Sequence, residues 1–289
     1  MVSSLRIPGA RVRDEERTVV DGNQSGPRDR QVRPHYTLVE SVVTRIPSSQ
    51  PAILGAAQWP AGVEGLPEFA SLGGRELGEP VTDHCSSWVR RLPHASGAFY
   101  VKTYDFPTWR SRLAAVGRRP LAAWTSRARR EFSALQWLRN KGFAAPEPIA
   151  VATWRRCGLL ARAVLVTREL PGERCDVLLS RLPEAAPRRD LAAAIGRFVA
   201  ALHASGWRDR NLDLRNLLAL HGEHGWQLAK LDSPRFRLRA AGRADDRLAR
   251  ADWQRLLPQL PDDLAAVARA AAHESRQRST SSERGPVGA

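Results

Sequence analysis

Cysteine is scarce in this chain: Cys85, Cys157 and Cys175 are the only three among 289 residues. An odd, widely spaced set excludes a disulfide framework and offers no zinc-ligand spacing. It suits a reducing compartment, and the expected localisation is cytoplasmic. Long apolar runs are also missing, since none approaches the ~18 residues that cross a bilayer. The start, Met1-Val-Ser-Ser-Leu-Arg6, lacks the apolar core of a signal peptide. Acidic residues are few beside basic ones, 30 Asp+Glu against 45 Lys+Arg, for a net charge of +15 carried almost wholly by Arg. Such an excess implies an anionic partner: a nucleic acid, an anionic membrane surface or a phosphorylated glycan. What is present in ordinary measure is apolar content, 43%, enough for one or two domains with a real core.

Residues 1–48 are polar and Arg-rich without sustained periodicity, and read as disordered, with a short strand at Val39–Ile46 as the exception. From 49 to 84, Gly and Pro recur through an irregular lead-in. Regular structure is expected from about Ser87. Two strand-like runs, Trp88–Leu92 and Ala98–Tyr104, are joined by the turn Pro93–Gly97. Alternation in the second run places Tyr100, Lys102 and Tyr104 on one face. Apolar residues at three- and four-residue spacing (Trp124, Ala128, Phe132, Leu135, Leu138) predict a helix over 121–141, with Glu131 beside the stripe rather than opposite it. A hairpin follows, Ile149–Trp154 and Leu159–Thr167, and then a linker, Arg168–Glu173. A second helix is expected from Asp190, read as its N-cap. Two more strands are expected around the turn His221–Gly225, then a last helix over Asp246–Leu257 and a disordered tail from about His273. No internal repeat is visible.

Between the second helix and the next strand lies His203–Ala219, a short segment holding two Asp, two Asn and three Arg. Polar groups this dense between buried elements cost free energy in a core unless paired, so the segment reads as a functional loop on a rigid scaffold.

A strand with Lys, a helix with Glu, more strand, a hinge, a helix, a polar loop and a hairpin ending in Asp together resemble the protein-kinase-like phosphotransferases. More narrowly, the chain resembles the lipopolysaccharide kinase family, which phosphorylates Kdo or heptose of the inner core. The likeness rests on Phe99–Tyr104, Ala128–Phe132 with the Gly142…Pro146-Glu-Pro148 turn, and Leu165–Gly172. Leu202–Gly206 leading to Asn216-Leu-Leu218, and Leu231–Phe236, complete it. The resemblance implies an α+β, two-lobed kinase-like fold: an N-lobe over 85–168 with an antiparallel sheet and one helix, and a mainly helical C-lobe over 169–272, followed by the tail 273–289. It implies ATP and Mg²⁺ as cofactors. Lys102 and Glu131 would serve the phosphates, the hinge at Glu169 the adenine, and Asn216 and Asp232 the metal. The implied acceptor is a Kdo–lipid A core sugar, reached at the inner face of the anionic inner membrane.

Two positions depart from the family pattern. Anchoring on Gly206 and Asn216 aligns Asp209 with the family's loop His, Arg210 with its Arg, and Asn211 with its catalytic Asp. An amide cannot take the sugar hydroxyl's proton, which forfeits roughly 10²–10⁴-fold of general-base help. On the metal strand, Lys230 aligns with a metal-binding Asp, a cation where a cation should sit. The resulting expectation is a kinase-like protein with impaired catalysis, a pseudokinase. The alternative is an active kinase in which Asp209, Asp213 or Asp232 replaces the lost carboxylates. A nucleic-acid-binding protein is the reading of another class, and it rests on charge alone.

Overall fold

A computed structural model describes residues 52–54, 66–67, 69–117, 126–223, 225–241 and 246–282. The expected disorder of 1–48, the strand at Val39–Ile46 and the helical start around Trp124 lie outside them. Strand β1 (Ala52–Leu54) and a single turn, α1 (Phe69–Leu72), come first, then β2 (Glu79–His84), β3 (Ser87–Leu92) and β4 (Phe99–Asp105). Regular structure therefore begins earlier than the expected start near Ser87: β2 pairs antiparallel with β3 through Thr82↔Val89 and His84↔Ser87. After α2 (Trp109–Gly117) and α3 (Arg127–Asn140) come the long hairpin strands β5 (Pro148–Arg156) and β6 (Leu159–Arg168). The antiparallel sheet runs β1-β5-β6-β4-β3-β2, so β4 lies inside it.

Alternation along β4 sorts its side chains. Phe99, Val101 and Thr103 are fully buried on one face, where Phe99 and Val101 join Leu92, Val164 and Val166 in a core cluster. On the other, Tyr104 packs with Phe132, Leu135 and Leu138 of α3. That helix starts where Ser126 caps the Arg129 N–H. Its apolar stripe, each large member worth about 1.5–3 kcal/mol when buried, fixes which side faces the sheet.

The C-lobe opens with β7 (Glu173–Arg174), α4 (Cys175–Arg181) and α5 (Ala185–Ala204). Asp190 does not cap the latter, because the helix begins five residues earlier with Glu184 at the N-cap. The two alanines there favour helix, and Pro187 falls in the first turn, where its missing N–H has no partner to lose. Beyond lie β8 (Trp207–Arg208), a 3₁₀ turn at Leu214–Asn216, β9 (Leu217–Gly222), β10 (Gly225–Lys230) and β11 (Arg237–Leu238). The chain continues through α6 (Arg247–Leu256), capped by Asp246, a 3₁₀ turn at Leu257–Gln259, and α7 (Asp262–Ser282). The expected disordered tail is thus helical through Ser282. Its Ala-rich first half propagates the helix into the Ser/Arg stretch, where Glu274 and Arg278 pair at 3.5 Å. The join of α5 to α7 is close: a Cβ on Gly196 would stand 2.1 Å from the Ala268 carbonyl oxygen. Among the described residues no helix is long and apolar enough to cross a membrane.

Candidate active site

Lys102 projects from the α3 face of β4. Its Nζ lies 3.1 and 3.0 Å from the two Glu131 oxygens and 2.8 Å from Asp232 Oδ1. The Tyr104 hydroxyl donates to Glu131 at 3.2 Å. Three segments remote in sequence therefore meet at one ammonium. Burial works against the Lys102 charge, but Glu131, Tyr104 and Asp232 outweigh it and raise its pKa well above the ordinary lysine value. Burial also pushes the Glu131 carboxyl up to about 7, with Lys102 pulling the other way. Asp232 moves down: burial opposes its charge, and Lys102 overcomes that.

The polar loop is held from beneath. Gly206, with φ of +93°, starts it, and a Cβ there would meet the Arg239 carbonyl oxygen at 2.3 Å, so only glycine fits. Arg210 stands in the left-handed region at φ 59°. Asp252, 1% exposed on α6, holds that turn by accepting the Asp209 N–H at 2.9 Å and the Arg210 N–H at 2.8 Å. His203 Nε2 lies 3.3 Å from the same carboxylate. No role was expected of Asp252 from the sequence. A carboxylate among the buried Ala249 and Leu256 was the available signal.

Each expected site residue has a distinct place. Asn211 accepts the Asn216 Nδ2–H on its carbonyl oxygen at 3.2 Å, which closes the loop on itself. Asp209 is 1% exposed, with Oδ2 3.0 Å from Lys230 Nζ. Neither Asp209 oxygen makes an aligned hydrogen bond, so the contact is an ion pair by distance. Burial raises the Asp209 pKa and Lys230 partly offsets this. Lys230 is itself 0% exposed and donates to the carbonyl oxygens of Leu231 at 2.7 Å, Asp232 at 3.2 Å and Asn216 at 3.4 Å. Lys230, expected at the metal position, thus has its ammonium directed at these carbonyl oxygens and at Asp209. Lys230 ends β10, where Leu228 and Ala229 are buried as well, and Asp232, two residues on, reaches Lys102. Asp213 caps the 3₁₀ turn through the Arg215 N–H at 2.9 Å and pairs with the Arg215 guanidinium at 2.8 Å. That pairing lowers its pKa. Glu169, whose N–H bonds the Ala98 carbonyl at 2.8 Å, has its carboxylate gripped by Arg91 at 2.8 and 2.9 Å and by the Tyr100 hydroxyl at 3.0 Å.

Among the described residues no three His, Cys, Asp or Glu side chains gather to hold a metal. A divalent ion bridged to phosphate needs fewer protein ligands than that. Asp232, with its side chain 35% exposed, and the Asn216 amide oxygen are donors of the right hard-oxygen chemistry.

An antiparallel sheet bearing a Lys–Glu pair, a following helical lobe and a polar loop between them define a kinase-like fold. A solved structure described as WaaP in complex with acyl carrier protein shares that fold, with TM-score 0.53 at 17% identity over 80% of this chain and 92% of that one. The model of the lipopolysaccharide kinase (Kdo/WaaP) family matches residues 114–269, and the chain belongs to that family. It is also 29% identical over 160 residues to the 3-deoxy-D-manno-octulosonic acid kinase of Vibrio cholerae serotype O1 (strain ATCC 39315 / El Tor Inaba N16961). That match spans 55% of this chain and 66% of the relative.

Proposed function

We propose that the chain binds ATP in the cleft beside Lys102 and acts on a lipid-linked Kdo or heptose acceptor, with phosphoryl transfer strongly slowed by the amide at Asn211. The observation that carries this reading is the asymmetry of the site. The phosphate-side groups Lys102, Glu131 and Asp232 are assembled within 2.8–3.1 Å, while the loop position that should accept the acceptor's proton is an amide. Phosphoryl transfer depends mostly on positioning and charge, so such a site can bind and orient its substrates yet turn over slowly. Lys102 would neutralise phosphate oxygens, Asp232 and Asn216 would hold Mg²⁺, and the backbone around Glu169 would face the adenine. When bound, ATP and Mg²⁺ supply the transferable phosphoryl group and the charge that screens it.

The other carboxylates are poor stand-ins for a base. Asp209 is sealed against Lys230 and Asp213 is committed to Arg215. Asp232 alone retains both exposure and a place at Lys102, which leaves it as the only support for an active-kinase reading. The Vibrio cholerae relative, a 3-deoxy-D-manno-octulosonic acid kinase, points to Kdo as the acceptor. Work on such an acceptor would place the protein in the cytoplasm, at the inner face of an anionic membrane. The test is calorimetric titration with ATP, with and without Mg²⁺, followed by transfer to Kdo–lipid A. Mg²⁺-dependent binding with little turnover supports the reading. Fast turnover, or no ATP binding, overturns it.

A further inference from the structure

The net charge is concentrated. Residues 106–163 carry twelve Lys or Arg against two acidic residues, Glu131 and Glu147, so about a fifth of the chain supplies +10 of the net +15. One of the two acids, Glu131, is buried against Lys102 and adds nothing to the surface. Within this stretch α2 leaves the end of β4 that also receives the β5–β6 hairpin: Asp105 pairs with Arg162, and the Phe106 N–H bonds the Ala161 carbonyl at 2.8 Å. The tip of that hairpin presents Arg155 and Arg156. Burial lowers the Arg155 pKa, and the nearby charge of Arg129 lowers it further.

The start of α2 is rigidly built. Thr108 and Ser111 cap one another, the Thr108 N–H donating to Ser111 Oγ at 3.2 Å and the Ser111 N–H to Thr108 Oγ1 at 3.1 Å. The Arg112 guanidinium folds back onto the carbonyls of Phe106 and Pro107, at 2.8 Å each. On this fixed turn Trp109 is 53% and Leu113 45% exposed, one helical turn apart and so on one face, with Arg110 exposed beside them. A lone exposed apolar residue is ordinary. A Trp–Leu pair on a capped helix inside the most cationic part of the chain is a different arrangement. An indole belongs at the headgroup level of a bilayer, and arginines around it are drawn to anionic lipid.

We propose that α2 docks on an anionic lipid surface, with Trp109 and Leu113 entering the headgroup region and Arg110 and its cationic neighbours binding lipid phosphates. The inference deepens the reading of a lipid-linked acceptor and rests on it for its purpose. It sets the N-lobe as the edge that meets the membrane, seven residues along the chain from Lys102.

The test is co-sedimentation of the full chain with vesicles of phosphatidylcholine alone or mixed with phosphatidylglycerol, containing neither acceptor nor nucleotide, so that failure of the kinase reading leaves the outcome untouched. The wild type should sediment with the anionic vesicles only, in a salt-sensitive way. The double variant Trp109→Ser/Leu113→Ser and the single variant Arg110→Glu should each lose roughly tenfold in partitioning, with unchanged thermal unfolding midpoints. Wild-type indifference to anionic vesicles would overturn the proposal, as would undiminished binding by a folded double variant. Binding of an acidic protein such as acyl carrier protein through Trp109, without vesicle binding, would overturn it too.

Discussion

The ammonium of Lys230 and the carboxylate of Asp209 stand 3.0 Å apart with both side chains closed to water. A residue of the polar loop and the last residue of β10 are thus partners in a single contact. Through its three carbonyl acceptors Lys230 also ties the Asn216 end of the loop to the Leu231-Asp232 segment. Both ions have left water, so their attraction must offset a desolvation cost of several kcal/mol per ion.

Removing one partner should therefore be worse than removing both. Lys230→Met and Asp209→Leu should each lower urea-denaturation stability by about 3–5 kcal/mol, and the double variant should recover most of the loss. Additive losses in the cycle would show that the two side chains act separately. For the same reason Lys230→Asp should unfold the loop by setting two buried carboxylates together, rather than build a metal site.

Asn211→Asp alone should raise phosphoryl transfer to Kdo–lipid A by roughly 10²–10⁴-fold at unchanged ATP affinity. Single-turnover kinetics would separate this from faster product release. An unchanged rate would mean that another carboxylate already serves.

Asp252→Asn keeps the volume but turns an amide donor toward the backbone N–H groups of Asp209 and Arg210, two donors that Asp252 now accepts. A stability loss of roughly 1–3 kcal/mol is expected, from leaving buried donors poorly paired. Hydrogen exchange at residues 209–210 should speed up selectively.

The pH dependence has a defined sign. Glu131 titrates at about 7 in the folded protein against 4.5 for the free side chain. The folded state therefore holds more protons than the unfolded chain between those values, and this group's contribution to stability falls as pH rises from about 4.5 to 7. Glu131→Gln should flatten the wild-type decline across that window in chemical denaturation. An equally steep decline in the variant would assign it to other groups.

Much of the architecture could be read from local patterns. Alternation marked β4, strand-like runs about a turn marked the β5–β6 hairpin, and the helical stripe marked α3 with the carboxylate of Glu131 beside it. The same signal stood at Asp252 in α6 but was obscured by a helix otherwise rich in exposed Arg. Lys230 was harder, because nothing local in the sequence tells that its ammonium is buried against Asp209 and three carbonyl oxygens. The helical run to Ser282 was hidden for another reason: Ser and Arg look like a loop when the alanines that nucleate the helix lie a dozen residues upstream.

The place of β4 inside the sheet has a consequence for dissecting the protein. The family match begins at residue 114, after β4 has left the sheet, so a fragment cut to that match would lack Lys102. Losing β4 would strip β6 of its neighbour along Phe99–Asp105 and open a row of unpaired N–H and C=O groups, an invitation to edge-to-edge aggregation. Ending at residue 269 would also halve α7, whose Leu264, Ala268 and Ala272 are sealed into the helical lobe. The segment by which the protein is recognised is therefore smaller than the segment that can fold, and any working fragment must run from ahead of β2 to beyond Ala272.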